Sequence, residues 1–498
     1  MIAGIRLQTR SVNRSLTNCA EYNQAGFAMS HVGPRGATYA LAALFALALA
    51  CDLLWMPVQV SDSLGEIFEA RKSPSVWASF TDTLGSEAYL RPLRIAQIKA
   101  LFDLAGGRHY WLVYRSFHAL LLVAAILLFT RALRVRTAVD FAAAAVALVV
   151  LIGLHTFRGT VQEAFPINHF LEVVVLCLVV LNLAQSRGGI WVDVGAALTF
   201  TVAALTLESG LLVWFVAVAA WAVGWRGISV RGLSVMTVLL IGYGYLRFVH
   251  LATGVPSLTE RSSGYLLEVL EPEELERRFG SQPLWFYAYN VLASAGSVLF
   301  AEPRSGVFET VGAWLNDRPL RRELLLVATS VVTTGVIAWT AVLHIVQRRP
   351  LGDTARFIVV FVVVLAANAT LSFAYTKDEI MSVAGVFYAL AAFGAMRDLA
   401  TRIGLRVATA AAGVLLVGAL ATGWSVRAAG VHYVLRSQAI KHQIDWVELL
   451  GRWHREDRWP TDPIEEQLLL RLHADAVHIK LPNTRIGRPD WPNRLWLD

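Results

Sequence analysis

Long apolar runs and short polar breaks alternate along nearly the whole chain. A helix needs roughly 20 apolar residues to cross a bilayer. Runs of that kind lie near residues 37–57, 110–130, 138–155, 168–185, 190–206, 209–225, 233–252, 323–346, 357–375, 379–396 and 407–424. The pattern predicts an all-α polytopic membrane protein with about 11 transmembrane helices. One further run, LWFYAYNVLASAGSVLFA (284–301), is long enough but carries Asn290, two tyrosines and several small residues.

Charge orients these runs. Arginines gather in RALRVR (131–136), QSRGG (185–189), WRGISVRG (225–232), QRRPLGDTAR (347–356) and RDLATRIGLR (397–406). Basic connectors favour the cytoplasmic side. All five share it if the N-terminal tail, 1–36, is cytoplasmic and 284–301 is re-entrant or interfacial, because a full crossing there would send the last two loops outside. The other side then carries the loop 58–109, the region 253–322 and the tail 425–498. Three divisions follow: a cytoplasmic tail (1–36), a transmembrane domain (37–424) and a small helical extracytoplasmic appendage (425–498). Residues 1–36 are longer than a signal-peptide n-region and precede no A-x-A site, so the first apolar run reads as a retained helix. In the first loop, SDSLGEIFEARK (61–72) and LRIAQIKALFDL (93–104) repeat apolar residues at helical spacing, the pattern of interfacial amphipathic helices. WVELLGRWHREDRW (446–459) is amphipathic in the same way.

Composition agrees with this class: of 498 residues, 56% are hydrophobic and only 16% charged, with a mean hydropathy of +0.52. The net charge of +7 would suit nucleic acid, but the arginines sit in short connectors where they orient helices, so no nucleic-acid partner is expected. Of three cysteines, Cys51 and Cys177 lie in apolar runs and Cys19 in the tail, which leaves neither a disulfide framework nor a CxxC site. HExxH, a P-loop, a GxGxxG after a strand and a GxSxG elbow are all missing, which argues against chemistry driven by a cytoplasmic nucleotide. His442, His454, His473 and His478 lack a ligand spacing. No cofactor is required on this reading, and a divalent metal is optional.

Polar groups at the rim of the hydrocarbon are costly, so each needs a reason. Asp52 closes the first run. Asp62 has two readings: with Ser61 it precedes an amphipathic helix and suits an N-cap, or it is a catalytic carboxylate. In GSEAYLRPL (85–93), Pro92 fixes a turn that holds Glu87 and Arg91, either as a weak surface ion pair or facing the membrane surface. LHTFRGTVQEAFPINHF (154–170) holds His155, Arg158, Glu163 and His169. Glu208, in LTLESGLLVW (205–214), interrupts an apolar stretch and demands a turn or a costly burial. Arg247 ends the seventh run in GYGYLRFVH (242–250), and Lys377 and Asp378 sit in YTKDE (375–379). All of these fall at one face, though each alone also reads as a snorkelling or topology residue. Arg115 and His118 open the second run in YRSFHALL (114–121), where an arginine can snorkel.

Taken in order, these features resemble the type C glycosyltransferase superfamily, polytopic enzymes that use lipid-phosphate-linked sugars and include protein O-mannosyltransferases and bacterial aminoarabinose transferases. Asp62 is similar to that family's acidic residue after helix one, and EAYLRPL (87–93) to its Y-R-P-L turn. LHTFRGTVQEAF (154–165) resembles its loop after helix three, LTLESG (205–210) its K-E-x-G turn, and YGYLRF (243–248) its Y-x-x-x-R ending of helix seven. Two departures stand out: Leu207 replaces the lysine, and a single Asp62 with Glu66 one turn on replaces an acidic pair. The resemblance covers about residues 37–395. It implies an enzyme of the bacterial inner (plasma) membrane that moves a sugar from a polyprenyl-phosphate donor to an extracytoplasmic acceptor, whether glycan, lipid or protein. It also implies Asp62 as general base, Glu87 as a second catalytic carboxylate, and Arg91, Arg158, Glu163, Glu208, Arg247 and Lys377 as substrate-binding groups.

Chemistry supplies a parallel reason for the layout. Such a donor keeps its tail in the bilayer and its anomeric carbon at the interface, so base and phosphate-binding cations must meet at one rim. Arg247, Arg91 and Lys377 are the candidate cations. Two other readings stay open. A transporter or flippase of lipid-linked sugars would line a path with the same charges, although the chain has no clear hydropathy repeat and its charges cluster near one rim. A non-catalytic membrane subunit would dock through 425–498.

Overall fold

The computed structural model describes residues 33–479 apart from 85–89, 107–108, 163–168, 252–271, 282, 302–306, 319–321, 349–350, 374–375, 377 and 404–406. The described residues are all-helical, with no strand among them. Seven of these helices are long and apolar enough to cross a membrane, or eight if one bent pair counts as a single span.

The chain shuttles between two ends of a bundle. From the end that bears the basic connectors, α1 (Pro34–Leu54) leads to three short helices, α2 (Ser61–Lys72), α3 (Val76–Leu84) and α4 (Pro92–Ala105), and α5 (Tyr110–Leu133) returns. Next come α6 (Ala138–Gly153), bent by 60° into α7 (His155–Gln162), then α8 (Phe170–Ala184), α9 (Ile190–Thr206), α10 (Leu212–Ala222) and α11 (Val230–Tyr245). Beyond α11 lie α12 (Pro272–Phe279), α13 (Pro283–Phe300), α14 (Val307–Leu315), α15 (Arg322–Val346), α16 (Asp353–Leu371), α17 (Ser382–Ile403), α18 (Val407–Arg455) and α19 (Pro463–Val477).

Local chemistry fixes the turns at the basic end. Thr137 and Asp140 form a capping box at the start of α6: the Asp140 amide donates to Thr137 Oγ1 at 3.1 Å, and the Thr137 amide donates to Asp140 Oδ2 at 2.9 Å. Asp193 of α9 accepts from the Ser229 amide (2.8 Å) and hydroxyl (2.6 Å), which ties α9 to the start of α11. Arg397 of α17 reaches Thr354 of α16 at 3.2 Å.

At the centre stands α17. It is apolar on every side and fully buried over its apolar window, as expected of a helix surrounded by others. Lipid is as apolar as leucine, so helices associate here through close packing and polar ties rather than through exclusion of water. The run SVAGVFYALAAFGAM supplies the small residues that close packing needs, and α6 answers with Ala143, Ala144 and Ala147. α8, α15, α16 and α18 complete the jacket.

A second core lies outside the bundle. Val58, Leu64, Ile67, Ile98, Phe102 and Tyr110 share it with Trp446, Leu449, Leu468 and Leu472. The first loop and the tail therefore pack as one unit, and Trp446 Nε1 donates to the Val58 carbonyl at 2.6 Å. Three points bear on the sequence reading. Leu64 and Ile67 of 61–72 and Trp446 and Leu449 of 446–459 share this core. Asp62 is the second residue of α2, whose N-cap position is held by Val60, so the cap reading gives way to a first-turn position. Residues 424 and 425 both lie inside α18, a single helix of 49 residues.

Arginines also turn inward. Arg115, which the sequence allows to snorkel, is fully buried and donates to the carbonyls of Met56 (2.8 Å) and Pro57 (2.6 Å), locking α5 to the end of α1. Arg427 of α18 donates to the Gly153 carbonyl (3.1 Å), Thr329 Oγ1 (2.8 Å) and Ser330 Oγ (2.9 Å).

Trp446→Ala should remove about 3–5 kcal/mol from the outer core. Limited trypsin digestion in detergent should then cut both near Lys72 and near Arg455 faster than in wild type, because the two segments share that core. Protection lost at only one of the two sites would mean that they are separate units.

Candidate functional site

The charged groups that face one another meet at the end opposite the basic connectors. Glu208 sits in a tight 3₁₀ turn (Glu208–Leu211) between α9 and α10. A side chain at Gly210 would run into the backbone of Ala203 and Ala204, so this turn closes only with glycine there. The apolar stretch is thereby broken, and Glu208 is placed at the rim, as its position in the sequence demanded.

Two arginines from distant parts of the chain close on this carboxylate. Arg91, just before α4, donates from Nε to Glu208 Oε1 (3.1 Å) and Oε2 (2.9 Å), and its Nη2 lies 2.7 Å from Oε2. Pro92 at the first position of α4 sets the backbone that presents it. Arg247, in the π turn that extends α11, lies 3.3 Å from Glu208 Oε1 and donates to the Tyr243 hydroxyl at 3.0 Å. Burial pushes the Glu208 carboxyl up, but the charge and hydrogen bonds of Arg91, with Arg247 behind it, outweigh that effect and hold it below its ordinary value. Among the described residues, two guanidiniums face this one carboxylate.

Beside the triad lies a cavity of about 80 Å³, lined by Arg91, Phe170, Glu208, Asn368, Ser372 and Ile380. That is room for a few waters. Its polar wall is held from behind: fully buried Asn368 donates to the Ile380 carbonyl (3.0 Å) and accepts from the Ala384 amide (3.2 Å). A second polar chain stands on the α8 side of the site. Gln97 donates to Glu172 Oε1 at 2.8 Å, and Glu172 Oε2 lies 2.9 Å from His169 Nδ1.

Of the candidate residues, Arg91, Glu208 and Arg247 are brought together. Arg91 pairs with Glu208, 117 positions on; the local ion pair with Glu87 that the sequence allowed lies outside the described residues. Arg158 is placed apart from them, on α7, which packs on the 378–381 turn through Gly159 and Thr160, and its charge reaches Arg427. His155 Nε2 faces buried Asp378 at 3.9 Å. Asp52 pairs with His432 and with Arg436 (3.4 Å) on α18. Glu87, Glu163 and Lys377 lie outside the described residues, and Asp62 is described only as a backbone position in α2. Asn368, Glu172 and Gln97 were not foreseen. Glu172 carried a signal, being a carboxylate in the first turn of an otherwise apolar helix. Among the described residues no three His, Cys, Asp or Glu side chains gather as metal ligands.

No protein-family model, curated protein or solved structure matches this chain. The functional reading therefore rests on its residues and their geometry.

Replacing Glu208 by Gln leaves two cations facing each other at a partly buried rim and should lower stability by about 1–3 kcal/mol. The carboxyl's folded pKa is depressed, so its contribution is complete above the ordinary value of 4.5 and is lost as pH falls through the folded one. Thermal unfolding should show a wild-type advantage over Glu208→Gln at pH 7 that shrinks below about pH 4. A pH-independent difference would mean that the ion pairing contributes nothing.

Proposed function

We propose that this chain is a membrane glycosyltransferase that takes its sugar from a polyprenyl-phosphate donor. The observation that carries the reading is the convergence of Arg91 and Arg247 on Glu208 beside a cavity at one rim of the bundle. A preorganised pair of guanidiniums suits a leaving phosphate whose tail stays in lipid, because arginine binds phosphate oxygens bidentately. Glu208 holds both guanidiniums in place.

In this reaction Asp62 takes the proton of an acceptor hydroxyl, and the acceptor oxygen forms a bond to the anomeric carbon. The bond from that carbon to the phosphate oxygen breaks, and its electron pair leaves on the phosphate, where Arg91 and Arg247 stabilise the charge. Glu87, Arg158, Glu163 and Lys377 are assigned to the surrounding rim, by the resemblance to type C glycosyltransferases, as acceptor- or donor-binding groups. No metal is required, although a divalent ion is compatible with the chemistry.

The membrane arrangement belongs to the same proposal. Eleven crossings are formed by α1, α5, α6, α8, α9, α10, α11, α15, α16, α17 and α18. Of these, α8 and α10 are the shortest, with 15 and 11 residues, and on this reading each still bridges the same two ends as its longer neighbours. The helix at 284–301 is re-entrant together with α14. Two contacts support this. Asn290 of α13 donates to the Phe373 carbonyl at the rim, while Thr334, midway along α15, donates to the Leu299 carbonyl near the other end of α13. Since α11 ends and α15 begins at the triad's end, the segment between them enters and leaves by one face. The N-terminus and the basic connectors are cytoplasmic. The outer core, with its short helices at the membrane surface and the C-terminal tail, is extracytoplasmic, in a bacterial plasma membrane.

The test is transfer by purified protein in lipid from a panel of radiolabelled polyprenyl-phosphate sugars. Asp62→Ala should abolish transfer and Arg247→Gln should reduce it by about 10²–10³-fold, while a reporter fused at residue 352 should give a cytoplasmic signal. Full transfer by Asp62→Ala would remove the assigned base. Neither transfer nor donor binding anywhere in the panel would favour a transporter or a non-catalytic subunit.

A further inference from the structure

A second cavity lies at the other end of the molecule. α8 connects the two places: Phe170 at its start lines the triad's cavity, while Asn182 and Gln185 at its end line this one. Fifteen helical rises separate Phe170 from Gln185, about 22 Å, so the sites are distinct.

This cavity measures about 320 Å³. Four arginines surround it: Arg35 of α1, Arg131 of α5, and Arg134 and Arg136 of the following connector. No Asp or Glu lines it. Among the described residues none of the four arginines makes a salt bridge. Asp353, whose charge also reaches Arg134, lies 3.5 Å from Arg356, and Asp140 accepts from the Arg136 and Thr137 amides. Arg134 is held in a left-handed backbone conformation (φ 53°), with its guanidinium donating to the Gln185 carbonyl. A non-glycine residue in that conformation is uncommon and needs a tie of this kind.

The floor of the cavity is built from polar side chains. Asn182 is 8% exposed and spends its amide on the carbonyls of Leu128 (3.0 Å) and Leu178 (2.8 Å). Gln185 is 9% exposed, and its buried Nε2 has no hydrogen-bond partner among the described residues. A buried amide donor without a partner costs free energy until an acceptor arrives.

We propose that this pocket is an anion site that binds a phosphate group. Four guanidiniums that make no salt bridge among the described residues, with no carboxylate in the lining, suit phosphate oxygens, and the Gln185 amide supplies the inner donor. The position, between helices at the end of the bundle that carries the basic connectors, suits the head group of an anionic lipid in the adjoining leaflet. A soluble phosphate offers the same oxygens. The site is independent of the transferase reading, since it shares no residue with the triad.

Two measurements separate the sources. Native mass spectrometry of protein from micelles of phosphatidylglycerol and phosphatidylcholine reads retention of the anionic lipid, and thermal unfolding in neutral detergent with and without millimolar pyrophosphate reads soluble phosphate. Wild type should retain phosphatidylglycerol or be stabilised by pyrophosphate, and the first alone identifies the lipid as source. The double variant Arg131→Gln, Arg136→Gln should lose that effect by about tenfold or more. Both residues are exposed, so its melting temperature without ligand should match wild type. The comparison variant Arg187→Gln, Arg231→Gln removes two exposed charges from the same end but outside the pocket, and should keep the effect. Equal loss in the comparison variant, or no response of wild type in either measurement, overturns the proposal.

Discussion

A helix with no polar face has only one stable place, the middle of other helices, and α17 occupies it. Everything else in the bundle is arranged so that α17 is buried from Ser382 to Met396, with only its last turns reaching the surface. Its alanines and glycines let α6 and α16 approach closely, and its two ends reach the two polar regions of the molecule. The 3₁₀ turn that leads into it (Glu379–Met381) places Ile380 against the small cavity beside Glu208. Its last turns place Arg397 against Thr354, near Asp140 and the basic connectors. The apolar interior thus fixes the distance and the orientation between the two charged ends.

Between those ends the physics changes. Inside the bundle, association depends on fit and on polar ties such as the Arg427 fan or the pairing of Trp424 Nε1 with Thr333 at 2.9 Å. In the outer core the apolar side chains of the first loop and the tail form a cluster of their own, joined by Tyr110 and Tyr114 of α5. The Glu208 triad lies at the junction. Its carboxylate comes from a turn of the bundle, one guanidinium from the start of a loop helix and the other from a distorted helix end. Such a rim tolerates charge because three partners share the desolvation and each has a fixed neighbour.

Much of the bundle was legible because its periodicity is simple. Apolar runs of membrane length mark the helices, and arginine-rich connectors mark one end. Glu208 was legible too, because a carboxylate within an unbroken apolar stretch forces a turn. Its partners were flagged as residues but not as a pair with it: nothing local shows that Arg91 reaches a carboxylate 117 positions on, since that depends on how α4 meets the α9–α10 turn. The outer core was missed for a related reason. An amphipathic helix shows that it needs an apolar neighbour, but not whether lipid or another helix fills that role, and Leu64 and Trp446 look the same in either case. Arg115 was hidden because carbonyl acceptors, unlike carboxylates, leave no trace in a sequence. The short lengths of α8 and α10 arose from turns and cap residues that consumed the ends of longer apolar runs.

α18 has a mechanical consequence. At 1.5 Å per residue its 49 residues make a rod of about 74 Å, more than twice the roughly 30 Å of hydrocarbon that a helix must cross. The rod is pinned near its middle by Arg427 to α6 and α15 and by His432 and Arg436 to the end of α1. One continuous helix therefore carries both an inner stretch packed on α6 and α17 and an outer stretch whose Trp446 and Leu449 belong to the outer core, so the two cores share a single element.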